Sequence, residues 1–131
     1  MRRDKDDLEW QEAKRKVTIR DRKRCRFLRI CTIKETMMIQ KLAPSALLNY
    51  LDHAHIFPVS LYPELCYDTD NIILLNRWSH HHLDDCKSPV TGEGITREER
   101  DEFWKRLITE KRYESLLKKI KGENYGKEES S

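Results

Sequence analysis

The chain has 131 residues, 37% of them charged, enough for one domain with a modest core and too short for two. No apolar run approaches the roughly 18 residues of a membrane span, and Met1-Arg2-Arg3-Asp4-Lys5-Asp6-Asp7 has no apolar stretch behind its charges. Membrane and secretory readings fall away, and a cytoplasmic protein is expected. The net charge of +3 hides an asymmetry: residues 1–41 carry 14 Lys/Arg against 7 Asp/Glu, the remainder 12 against 16. A basic half suits a polyanion, although a solvated basic helix has the same composition. The four cysteines form no C-x-x-C pair and read as buried thiols rather than a zinc site or a disulfide framework.

Leu8, Trp10, Ala13 and Val17 fall near helical spacing and predict an amphipathic helix over about 8–20. After the basic stretch from Arg20, Cys25 to Thr32 alternates as an edge strand does. Residues 33–43 fit strand or loop, and Pro44 to Leu48 a short helical turn with Pro at its first position. Tyr50 to Phe57 reads as a strand ended by Pro58, Asn71 to Leu75 as a short apolar strand, and Arg77 to Asp85 as a helix. Thr96-Arg97-Glu98-Glu99 is a capping-box pattern opening a C-terminal helical region over about 97–121. From Gly122 to Ser131 the chain is polar, and disorder is expected there.

All five histidines lie between His53 and His82. Histidine serves both metal ligation and proton transfer near neutral pH. On a helix His80 and Asp84 share a face, and so do His81 and Asp85, rotated about 100°. Spacing alone does not choose between the pairs, and a solvated helix carries either without a metal.

The order His53-Ala54-His55-Ile56-Phe57-Pro58-Val59-Ser60, then Asp70-Asn71-Ile72-Ile73-Leu74-Leu75, then His80-x-x-x-Asp84 resembles the HNH (His-Me finger, ββα-metal) endonuclease motif. Upstream, Trp10 … Val17-x-x-Arg20-Asp21 … Cys25-Arg26 resembles the family's approach segment, so the likeness covers about residues 10–86. It is closest to free-standing phage or mobile-element members without zinc cysteines; Leu28, Asn76 and Ser79 stand where cysteines are found in other members. The resemblance implies His55 as general base, Asn71 pinning the loop that orients it, and one divalent ion (Mg²⁺, Mn²⁺, Ni²⁺ or Zn²⁺) on His80 and Asp84. Where many members place a metal ligand before the base this chain has Ala54, so His53, on the same strand face as His55, is a further candidate ligand. Without zinc, stability must rest on packing by Trp10, Trp78, Phe103 and Trp104.

The expectation is a single α+β domain over 1–131, with a ββα-metal core at about 50–87 flanked by a basic N-terminal helix and strand (about 8–32) and C-terminal helices. It implies a DNA endonuclease leaving 5′ phosphate and 3′ hydroxyl, with Arg22, Lys23, Arg24, Arg26 and Arg77 on the nucleic acid. The rival is a binding module on the same scaffold without catalysis.

Overall fold

The computed structural model describes residues 2–129, with side chains described for 8–120. Its centre is an antiparallel pair, β1 (Leu51–His55) and β2 (Ile72–Asn76), in the register Leu51↔Asn76 to His55↔Ile72. A lone pair of strands is marginal in water, and here both faces are covered. All five residues of β2 are buried. Ile72 and Leu74 pack with Ala13 and Val17 of α1 (Arg2–Arg20). Ile73 and Leu75 face the main core with Ala54, Leu83 of α5 (Arg77–Asp84) and Phe27. The alternation of β1 then places His53 and His55 on the α1 face, and Asp52 and Ala54 on the α5 face.

The ββα unit is flanked on the N-terminal side by α1, α2 (Arg26–Ile30), α3 (Ile33–Leu42) and α4 (Ser45–Asn49). On the C-terminal side stand α6 (Arg97–Ile108) and α7 (Glu110–Glu129). The α+β class and the ββα core are as expected. No helix among the described residues is long and apolar enough to cross a membrane. The expected disorder over 122–131 lies outside the residues whose side chains are described.

Four local readings are corrected. Cys25–Thr32 is not an edge strand: Arg26–Ile30 is a helix, placing Phe27 edge-on against Phe103 with ring centroids 5.7 Å apart. Five residues are too few for alternation to exclude helical spacing, and Phe27, Ile30 and Cys31 fall at i, i+3 and i+4. Residues 33–43, read as strand or loop, form α3, opened by a complete capping box between Thr32 and Glu35. Leu8 does not join the apolar face of α1; it is 73% exposed. Pro44 is the N-cap of α4 rather than its first residue. The capping box at Thr96 and Glu99 forms as read.

The approach segment acts as an internal clamp. Asp21, fully buried, accepts the Leu74 amide at 3.0 Å and Arg20 Nε at 2.9 Å, with Arg26 at 3.5 Å. Burial raises its carboxyl pKa, but Arg20, the Leu74 amide and Arg26 outweigh that and hold it below the usual range. Arg20 goes on to donate to the carbonyls of Thr69 and Ile72. Asn76 caps α5 by accepting the Ser79 amide at 2.7 Å, and its own backbone amide donates to Cys25 Sγ at 3.1 Å. No disulfide joins the four cysteines, and only Cys25 is fully buried, so the expectation of buried thiols holds for that residue alone.

Candidate metal and catalytic site

A cavity of about 410 Å³ takes in side chains from one face of β1, from the loop after it, from α5 and from α6. His53 and His55 reach it from β1, His80 and Asp84 from α5, Arg100 and Trp104 from α6.

His55 is the last residue of β1, where the strand gives way to the loop. Its Nε2 lies 2.9 Å from the Cys66 carbonyl. A carbonyl only accepts, so Nε2 carries the proton and Nδ1 the lone pair. The Trp10 ring stacks on the imidazole at 5.2 Å, with 19° between planes. The loop that carries this carbonyl is held by Asn71. Asn71 is fully buried; its Oδ1 accepts the Phe57 amide at 2.8 Å, and its Nδ2 donates to the carbonyls of Phe57 (3.1 Å) and Leu65 (3.4 Å). It ties the end of the loop between the strands to its start at Phe57 and to its middle at Leu65, one residue before Cys66.

His80 Nδ1 donates to Asp52 Oδ2 at 3.0 Å, and its Nε2 lies 3.3 Å from Asp84 Oδ2. A carboxylate behind one ring nitrogen fixes the tautomer and turns the other nitrogen outward, the arrangement usual for metal-bound histidine. Burial works to raise the Asp52 carboxyl, but Arg77 and His80 hold it below its ordinary value. Asp52, His80 and His81 each offer a donor atom, all within 4.8 Å of one another. This His/His/Asp set is able to coordinate a divalent ion, and its mixed nitrogen and oxygen donors leave the metal open.

The remaining candidates are placed as follows. His53 lies against Thr18, with Nε2 2.8 Å from Oγ1, and burial together with Lys14 depresses its pKa. It lines the cavity but is not in the Asp52 cluster. His82 packs on Trp78, ring centroids 3.9 Å apart, and donates to that residue's carbonyl. Arg77 pairs with Asp52 at 2.9 Å and lies over the Tyr50 ring at 4.2 Å. Arg26 donates to the Leu107 carbonyl at 2.9 Å, whereas Arg22, Lys23 and Arg24 are exposed. Asp85 joins neither the cavity nor the cluster. Spacing did not reveal Asp52, Trp10 or Arg100. The one available signal was a carboxylate two residues before Ala54, on the same strand face.

The fold and this site together define a ββα-metal domain of the His-Me finger type, without a zinc-cysteine cluster. Residues 25–87, nearly half of the chain, match the family model described as HNH endonuclease, so this stretch is an HNH-family domain. Comparison with curated proteins and with solved structures returned no match.

Proposed function

We propose that the protein hydrolyses phosphodiester bonds in DNA, nicking or cutting it with one divalent ion, and leaves 5′ phosphate and 3′ hydroxyl ends. The observation that carries this reading is the meeting in one cavity of His55 with a free Nδ1 and the His80–Asp84 pair. His55 Nδ1 takes the proton from the attacking water, while the Cys66 carbonyl and the Trp10 ring keep the imidazole in one tautomer and plane. Asn71 positions the loop that carries that carbonyl. His80 Nε2 and Asp84 are the protein ligands of the ion, with Asp52 behind His80; they, rather than His81, open on the cavity that holds His55. Bound there, a divalent ion would supply Lewis-acid neutralisation of the charge that develops during phosphodiester hydrolysis. Mg²⁺, Mn²⁺, Ni²⁺ and Zn²⁺ all suit these donors. A single domain over 1–131, acting in the cytoplasm on DNA, completes the proposal.

A second reading, a DNA- or protein-binding module without catalysis, is favoured by one observation. Ala54 is fully buried against Ile73, so β1 offers no ligand at the position just before the base. Plasmid nicking with each metal, with and without EDTA, decides between them. The nuclease reading expects metal-dependent nicks that EDTA abolishes and His55→Ala reduces by about 10²–10⁴-fold. Intact plasmid in every metal, or unimpaired turnover by His55→Ala, overturns it.

A further inference from the structure

We propose that Arg100, on α6 and outside the family-matched segment, binds a phosphate of the nucleic acid beside His55 and so completes the site. The inference rests on the nuclease reading for its substrate.

α6 presents Arg100 and Trp104, four residues apart and on one helix face, to the cavity that holds His55, His80 and Asp84. Trp104 is 4% exposed, and Leu107 and Ile108 behind it are buried, so the helix carrying Arg100 is fixed by its own core contacts. Two other cations of α6 are engaged: Arg106 makes two 2.9 Å hydrogen bonds to Glu35, and Lys105 pairs with Glu102. Arg100 differs. Its Nε is buried with no hydrogen-bond partner, and no described carboxylate forms an ion pair with it. A buried donor is ordinarily satisfied, and this orphaned one belongs to a side chain lining the cavity, so an anion entering there supplies the missing acceptor once the guanidinium turns toward it. The guanidinium fork matches two oxygens of a phosphate, which a lysine at the same place does not. It is the one guanidinium lining this cavity, where Asp84 alone carries a formal negative charge. A phosphodiester reaching His55 Nδ1 and the His80–Asp84 edge would bring its non-bridging oxygens within this cavity and meet that cation.

The test compares Arg100→Gln and Arg100→Lys with wild type in the full chain. Binding of a labelled 20-base-pair duplex is followed by anisotropy across a KCl series in EDTA, where no cleavage intervenes, and turnover is measured separately in Mn²⁺. Removing one cation from one phosphate flattens the slope of log affinity against log salt by about 0.9. Arg100→Gln is expected to show that change, with turnover lowered about tenfold or more and Mn²⁺ affinity unchanged. Arg100→Lys should keep the slope while losing part of the turnover. If Gln is not tolerated, Arg100→Met keeps the aliphatic stem and carries the same comparison. An Arg100→Gln protein with wild-type slope and wild-type turnover overturns the proposal, as does one whose only defect is a lowered melting temperature. A wild type that binds the duplex but never cuts it removes the nuclease reading, and the slope then decides on Arg100 alone.

Discussion

His80 has a different neighbour at each ring nitrogen, and that asymmetry gives the residue its chemistry. Asp52 accepts from Nδ1, so Nε2 presents its lone pair beside Asp84. If one ion sits on Nε2 and Asp84, Asp52 acts through His80, and Asp52→Asn weakens Mn²⁺ binding about 10–100-fold. His80→Ala and Asp84→Ala should each cost well over about tenfold, equivalent to roughly 1.4 kcal/mol. His81→Ala and Asp85→Ala should bind as wild type does. Isothermal titration with Mn²⁺ reads all five variants. Loss in His81→Ala with retention in Asp84→Ala would move the ion to the Asp52–His80–His81 set. The sequence made His55, Asn71 and His80 legible because a strand end, a turn and a helix each carry a chemically distinctive residue at fixed spacing. It left Asp52 and Trp10 hidden. Asp52 matters only once α5 is laid across β1, and Trp10 reads as core until α1 places its ring on His55.

The elements themselves were legible where burial made them periodic. β2 is buried throughout, and its apolar run was plain. In α3 only Ile39 is fully buried, while Ile33 is 83% and Met37 56% exposed, so apolar residues mark the wrong face. The Thr32–Glu35 capping box, which the sequence reading passed over, is the signal that marks this helix. Glu35 also joins α3 to α6: its two oxygens take both terminal nitrogens of Arg106. The Arg106 guanidinium brings the Glu35 carboxyl down to about 2 from an ordinary 4.5. The lowered folded pKa gives stability that is complete above the unfolded pKa and is lost as pH falls from about 4.5 to about 2. Glu35→Gln keeps the capping geometry and loses the charge. Because Arg106 remains partly solvated, the variant should be about 1 kcal/mol less stable at pH 7. Urea unfolding at pH 7 and near pH 2 should show that gap closing in acid; a gap that stays constant with pH would assign the pair no linkage.

Across the whole molecule, net charge overstates what is available to a polyanion. Several cations of this chain bind its own backbone: Arg20 the carbonyls of Thr69 and Ile72, Arg26 that of Leu107, Arg112 those of Thr69, Asp70 and Ile72. Burial lowers the Arg112 pKa to about 10, the mark of a guanidinium used as a structural clamp. Composition counted all of these alike, and only the fold separates them. Arg22, Lys23 and Arg24 are different. They form an exposed turn in which Arg22 and Lys23 adopt positive φ, 56° and 55°. Lys23 and Arg24 border a depression that Leu51 also lines, and Leu51 borders the one holding Asp52, Arg77 and His80 as well. A nucleic-acid backbone laid along this edge would run from the basic turn past Arg77 to the metal pair. Neutralising Arg22, Lys23 and Arg24 together should therefore flatten the slope of log affinity against log salt by up to about 2.7, at about 0.9 for each phosphate left without its cation. Arg26→Met should behave differently, lowering stability by about 1–3 kcal/mol through the hydrogen bonds it forfeits while the slope of the folded protein is kept. Anisotropy titrations with duplex DNA over a salt series, beside urea unfolding of the same proteins, separate the two effects. A triple variant with the wild-type slope would place the DNA on another face, and an Arg26→Met protein that folds normally yet loses slope would return that arginine to the interface.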